Sequence, residues 1–171
     1  MDIRSMLSIS AMTVLALALA SSSAVGEQKS LKEQLVGSWT YASADTVRPD
    51  GSRVPTWGPN PAGLWMFDSD GRYMSLTGRG GVPRFASNSR TTGTPEENKA
   101  AVQGSISQFG RYTINEAEHT LTLNIEYSSY PNWTGTQQTR PFTIVGDELR
   151  YTVPTASAGD GRGEVVLKRA K

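Results

Sequence analysis

Few side chains in this sequence could do chemistry, and arginine and tyrosine lead them. Arg140 lies two and four residues before Phe142 and Ile144 in a run, Thr136 to Val145, that reads as a strand. Alternate residues of a strand share a face, so if the apolar pair faces a core, the guanidinium faces it too. A buried charge is costly unless paired, and the planar guanidinium fork matches a carboxylate. Arg140, joined by Arg84, is therefore a candidate receptor for an acidic ligand. The alternatives are a structural pair with Asp45 or Glu126, or a side chain that reaches solvent at a rim.

Other chemistries lack their residues. The chain has no cysteine, which removes disulfides, thiolate catalysis, iron–sulfur clusters and thiolate-bound zinc. Its one histidine, His119, sits in a polar turn beside Glu116 and Glu118 and reads as exposed. No G-x-S-x-G elbow offers a nucleophile. Asp68-x-Asp70-Gly71 opens like a calcium loop but lacks the distant glutamate, and a hairpin turn explains it. Gly78, Gly80 and Gly81 lack the Lys-Ser/Thr of a phosphate loop. No cofactor or metal site is expected. The formal charge is +1, from 17 basic and 16 acidic residues spread along the chain; such a chain offers no basic face to nucleic acid or an anionic membrane.

The elements that must position these residues begin after an N-terminal segment of a different kind. A charged start (Asp2, Arg4), an apolar run from Met6 to Ala20 and the small residues Ser21 to Ala24 describe a secretory signal peptide over 1–24, with cleavage after Ala20, Ala24 or Gly26. The run is shorter than the ~20 apolar residues of a spanning helix, so no stable membrane anchor is expected, and the mature chain is placed in the periplasm or outside the cell. One domain follows, over 30–171.

Ser30 with Glu33 has the spacing of a capping box, which predicts a short helix closed by Gly37. Downstream, strands alternate with turn chemistry: Gly37 to Ser43, Gly63 to Phe67, Arg72 to Leu76, Phe109 to Ile114, Thr120 to Tyr127, Thr136 to Val145, Glu148 to Val153 and Glu164 to Arg169. Between the third and fourth, Thr94-Pro95-Glu96-Glu97 starts a helix, with threonine as cap, proline at the first position and acids on the positive end of the dipole. An antiparallel meander of this length removes its exposed edges by closing, and eight strands close around space for one small ligand. The predicted fold is all-β: an eight-stranded up-and-down barrel with a short N-terminal helix and one helical insertion between the third and fourth strands.

Parity then assigns an interior. With Trp39 inward, Tyr41, Ser43 and Asp45 follow; Leu121, Leu123, Ile125 and Tyr127 form one apolar face, and Tyr112 with Ile114 another. The expected ligand-binding set is Tyr41, Arg84, Tyr112, Leu123, Tyr127, Trp133, Arg140 and Phe142. Trp57, Trp65, Phe85, Tyr130 and Trp133 lie in or beside loops, where rings line a pocket mouth or plug a barrel end.

Gly37-Ser38-Trp39, after a short helix and opening a first strand, resembles the G-x-W signature of lipocalins. Further phrases resemble the bacterial lipocalin-like domain family: Gly63 to Phe67 with Asp70 to Ser75, Pro83-Arg84-Phe85, Gly93 to Glu97, Gly110-Arg111-Tyr112, and Pro131 to Thr136 with Arg140. The resemblance implies a lipocalin-type barrel in which Trp39 closes the floor and packs against a basic residue of the last strand, Arg169, with Lys168 the other candidate. It also implies a pocket for a small molecule. Three functions are expected to compete: binding of a small, largely apolar, hydrophobic or acidic ligand; a cofactor-independent isomerase or cyclase with Tyr112 or Tyr127 as acid, Asp45 as base and Arg140 stabilising an enolate; and an envelope module that binds a partner through the loop aromatics.

Overall fold

The computed structural model describes residues 29–157 and 161–171; the expected signal peptide lies outside them. Nine strands form one antiparallel sheet: β1 (Gly37–Val47), β2 (Arg53–Pro55), β3 (Pro61–Phe67), β4 (Arg72–Arg79), β5 (Ser105–Asn115), β6 (Thr120–Ser128), β7 (Gln137–Val145), β8 (Glu148–Val153) and β9 (Arg162–Arg169). From β3 onward each strand pairs with the next, and β9 returns to β1 along nearly its whole length. The result is a closed eight-stranded barrel with one extra strand. That strand, β2, pairs with the second half of β1, while β3 pairs with the first half. Together β2 and β3 act as one wall strand broken at 56–60.

The helix α2 (Pro95–Gly104) follows β4 rather than the third strand. The difference is β2, whose Arg-Val-Pro has no alternation to reveal it. Thr94 caps α2 in a capping box with Glu97, and Pro95 opens it.

The floor is closed by the helix α1 (Leu31–Leu35), held at both ends. Ser30 and Glu33 complete their capping box. The Glu116 carboxylate, from the β5–β6 turn, accepts from the Leu31 and Lys32 amides at 2.9 and 3.2 Å. At the other end Arg169 donates to the carbonyls of Gln34 and Val36 at 2.6 and 3.1 Å. The same guanidinium lies 4.2 Å from the Trp39 ring, whose indole N–H donates to Leu35 O at 2.8 Å. Trp39 and Leu35 are fully buried. The floor pair is thus Trp39 with Arg169; Lys168 is exposed and bonds Glu148 on the outer wall.

Two bulges decide which side chains face inward. An extra residue in one strand reverses the parity beyond it. In β1 the register shifts between Tyr41 and Ser43, so Ala44 and Thr46 are buried. Asp45, expected inside, is outside and paired with Arg53 at 2.9 Å. In β6, Phe109 pairs with Tyr127 and Gly110 with Ile125, leaving Glu126 as the extra residue. Leu121, Leu123 and Ile125 are buried as expected. Tyr127 is not: it is 54 % exposed and stacks on Phe109 at 5.9 Å, while Ser128 turns in. Gly110 permits the bulge, because a Cβ there would collide with the Asn124 carbonyl.

On β4 the usual polarity is inverted. Tyr73, Ser75 and Thr77 point inward, whereas Met74 and Leu76 are half exposed on the outer wall. β5 repeats the inversion, with Gln108 buried and Phe109 outside. These strands therefore line the interior with polar groups and carry an outer band that includes Met66, Met74, Phe109 and Tyr127 in cross-strand register.

Candidate functional site

The turns at 68–71, 116–119 and 146–147 gather at the floor, and the longer connections at 48–52, 56–60, 80–104 and 129–136, with residues 154–157, surround the open end. A cavity opens there, bounded by Tyr41, Ala44, Thr56, Trp57, Trp65, Ser75, Thr77, Gln108, Trp133, Arg140, Tyr151 and Val165 among others. It encloses about 540 Å³ of atom-free space, part of it open to solvent at the mouth. The break between β2 and β3 brings Thr56 and Trp57 to the rim. Thr56 is fixed there by its amide to Ala44 O at 2.8 Å and its hydroxyl to Thr46 at 3.0 Å. Trp133 closes the opposite side from a short 3-10 turn, Pro131–Trp133, edge-on to Tyr130 at 5.7 Å.

Among the described residues Arg140 is the one charged residue of this lining, and it is 2 % exposed. Its guanidinium lies 5.4 Å from the Trp65 ring and 5.2 Å from the Tyr151 ring, and one terminal nitrogen donates to Gln138 Oε1 at 2.7 Å. Neither expected acid meets it: Asp45 is bound to Arg53, and Glu126 lies against Arg72 and Arg111 on the outer wall at 3.0 and 3.8 Å. Among the described residues no carboxylate forms an ion pair with Arg140. Among the described residues its Nε–H has no partner, and neither does Gln108 Oε1 or the Tyr73 hydroxyl. Buried polar atoms are nearly always satisfied, and two of these three orphans, on Arg140 and Gln108, belong to the cavity lining.

Beside Arg140 is a phenol network. Tyr41 OH accepts from Trp65 Nε1 at 3.0 Å and from Thr77 Oγ1 at 2.8 Å, and bonds Tyr151 OH at 3.1 Å. Gly63 makes room for the Tyr41 ring: a Cβ there would stand 2.7 Å from it and 2.5 Å from Leu76 O. Burial holds the Tyr151 hydroxyl well above its ordinary pKa of 10.0, an effect the neighbouring Arg140 charge only partly offsets. Burial raises Tyr73 in the same direction. Tyr73 and Tyr151 are therefore held in the neutral form near pH 7.

Of the expected binding residues, Tyr41, Trp133 and Arg140 meet at this cavity. Tyr112, Leu123 and Phe142 are buried but fill the floor half of the barrel. Tyr112 packs edge-on to Phe67 at 5.2 Å and donates to Asp68 O at 2.6 Å, and burial pushes its pKa up to about 12. Arg84 is exposed in the β4–α2 connection beside Phe85, Asn88 and Arg90, away from the cavity. Tyr127 is outside for the reason given above. With Asp45 outside and Tyr112 at the floor, the groups of the isomerase reading do not converge. Sequence reasoning missed Ser75, Thr77, Gln108 and Tyr151, while Trp65, expected at a pocket mouth or a plugged end, lies in the lining. The available signal was the inverted polarity of β4 and β5, apolar where a wall faces water and polar where it faces in.

A second depression, lined by Ser43, Arg53, Glu118, His119, Arg150 and Glu164, lies on the outer wall. Its arginines are already engaged, Arg53 with Glu164 at 2.7 Å and Arg150 with Glu148, and it is open to solvent. It offers no unsatisfied buried group.

A family model described as a lipocalin-like domain matches residues 36–171. The chain belongs to that family. The match spans the whole barrel, from the G-x-W strand to the arginine that packs on its tryptophan. This lipocalin-like chain is also 35 % identical, over 80 residues, to a 4'-hydroxy-3'-methoxypropiophenone carrier protein, ppsC, of Aspergillus oryzae (strain ATCC 42149 / RIB 40); the aligned part is 43 % of this chain and 72 % of that protein.

Proposed function

We propose that this lipocalin-like protein is exported and carries a small, largely apolar organic molecule in the upper half of its barrel, with Arg140 anchoring an oxygen-bearing group of the ligand. The observation that carries the reading is Arg140 itself. A guanidinium taken out of water costs several kcal/mol unless it is paired, yet among the described residues this one has one neutral hydrogen-bond partner and an orphaned Nε–H beside the cavity. The aromatic walls supplied by Tyr41, Trp57, Trp65 and Trp133 suit a flat apolar body, and the relative named for a small substituted propiophenone belongs to the same ligand class. Export rests on the segment from Met6 to Ala20 and the small residues after it.

Native mass spectrometry of the protein purified from its own cells tests the carrier function. A bound mass of a few hundred daltons, extractable into organic solvent and lost in Arg140→Met, is the expected result. An unliganded mass from every growth condition, together with a barrel that takes up no small arene in titration, contradicts it. Export is tested on the same sample: the intact mass is expected to start at Ser21, Val25 or Glu27, and a chain that retains Met1 in the cytosol rejects that part alone.

A further inference from the structure

The hydrogen-bond arithmetic around Tyr41 goes further than a cavity with one arginine. A tyrosine hydroxyl has one proton to give and two lone pairs to receive with, and an indole N–H can only donate. Both lone pairs of Tyr41 are filled, by Trp65 Nε1 and by Thr77 Oγ1. Its own proton must therefore go to Tyr151 at 3.1 Å. If the direction were reversed, three donors would crowd one oxygen and the Tyr41 proton would be left without an acceptor. Tyr151, receiving from Tyr41, keeps its own proton for something else, and no acceptor among the described residues takes it. Tyr151 borders the cavity with Arg140 lying against its ring.

We infer that Tyr151 O–H and Arg140 Nε–H form a two-donor clamp for a carboxylate, making the ligand a small arene carboxylate that enters head first, and that Tyr41 is a positioning residue that turns the Tyr151 proton toward it. The inference rests on the interior-binding reading above. Carboxylate is favoured over a neutral carbonyl because the Arg140 charge has no counterion among the described residues, and charge-assisted bonds to a carboxylate are about twice as strong as neutral ones. Depth sets the orientation: Arg140 and Tyr151 are almost completely buried, whereas Trp57 and Trp133 are only partly buried, at the rim.

The test uses three matched probes, 4-propylbenzoate, its methyl ester and propylbenzene, titrated calorimetrically into the full mature chain. The wild type is expected to bind the carboxylate at least tenfold more tightly than the ester or hydrocarbon. Tyr151→Phe and Arg140→Met each reduce that preference about tenfold or more, since a hydrogen bond to a charged group is worth roughly 1.5–3 kcal/mol. Thr77→Val separates positioning from mere structure: it frees a lone pair on Tyr41, lets the Tyr151 proton turn back, and lowers the preference for carboxylate over hydrocarbon several-fold. Should Tyr151→Phe fail to fold, Thr77→Val and Tyr41→Phe carry the same comparison. Equal binding of all three probes overturns the clamp and leaves the carrier reading standing. A uniform loss across probes in Thr77→Val overturns the positioning role. No binding of any probe overturns both the clamp and the carrier reading.

Discussion

Replacing Arg169 by alanine should cost the barrel about 2–4 kcal/mol. The guanidinium does two jobs at once. It lies 4.2 Å from the Trp39 ring, and a partly desolvated cation over tryptophan contributes about 1 kcal/mol. It also donates to Gln34 O and Val36 O at 2.6 and 3.1 Å, two carbonyls at the end of α1 that the short helix cannot satisfy itself. Charge-assisted bonds of this kind contribute about 1.5 kcal/mol each at the low end, and partial exposure of the side chain reduces that further. The contact with Asp147 at 3.6 Å involves an exposed acid and adds little. For a domain of this size each kcal/mol moves Tm by roughly 3–5 °C, so Arg169→Ala should melt about 6–20 °C below the wild type. Arg169→Lys keeps the charge but cannot stack flat and reach both carbonyls together, so it should recover less than half of the loss. Urea unfolding followed by tryptophan fluorescence reads both variants. A loss under about 1 kcal/mol in the alanine variant, or a lysine variant as stable as the wild type, would refute the view that this fork ties α1 to the floor.

Gly63→Ala should push the Tyr41 ring out of its network and weaken interior binding more than fivefold; probe titration beside a crystal structure checks it, and an unmoved ring counts against the packing described for that site. Tyr127→Ser should leave binding unchanged and stability within about 1 kcal/mol, because the side chain stacks on the outer wall; loss of binding would return Tyr127 to the interior. Glu97 and Glu164 have folded pKa values below 4.5, Glu97 through the Ala86 and Thr94 amides and Glu164 through Arg53 and Arg162. Their stabilisation is therefore present above about pH 4.5 and lost as pH falls through the lowered values, so Tm measured from pH 6 to pH 3 should fall. For the tyrosines the sign reverses. Tyr112 is raised to about 12 and Tyr151 lies well above 10.0, so their contribution is intact below pH 10 and lost as pH rises through the folded values. Absorbance at 295 nm at pH 11 should show part of the six tyrosines still neutral in the folded protein and ionised once it is denatured.

Much of the barrel could be read from local pattern. Arg140, Phe142 and Ile144 alternate on β7 without interruption, and their shared parity placed the guanidinium inside correctly. The capping boxes at Ser30 and Thr94 likewise need only a few residues of sequence. What escaped is nonlocal. A bulge is defined by two residues opposing one on a partner strand, so nothing in Thr120 to Ser128 alone shows that Glu126 is the extra residue and that Tyr127 turns outward. The same holds for Asp45 beyond the bulge in β1. The polar interior was hidden for a different reason. Ser75, Thr77 and Gln108 read as outer-wall residues wherever one assumes that apolar means inside, and that assumption fails for a wall facing a polar cavity.

Whether a small molecule occupies the upper barrel is most directly decided by nitrogen NMR of the four indole N–H groups and the Arg140 Nε–H during titration with 4-propylbenzoate. Trp57, Trp65 and Trp133 border the cavity, while Trp39 is held to Leu35 O at the floor and serves as the internal control. Binding in the cavity predicts saturable shifts of Trp57, Trp65, Trp133 and the Arg140 Nε–H, with Trp39 still. Shifts confined to the outer-wall groups around His119 and Arg150, with Trp65 and Arg140 unmoved, would contradict it.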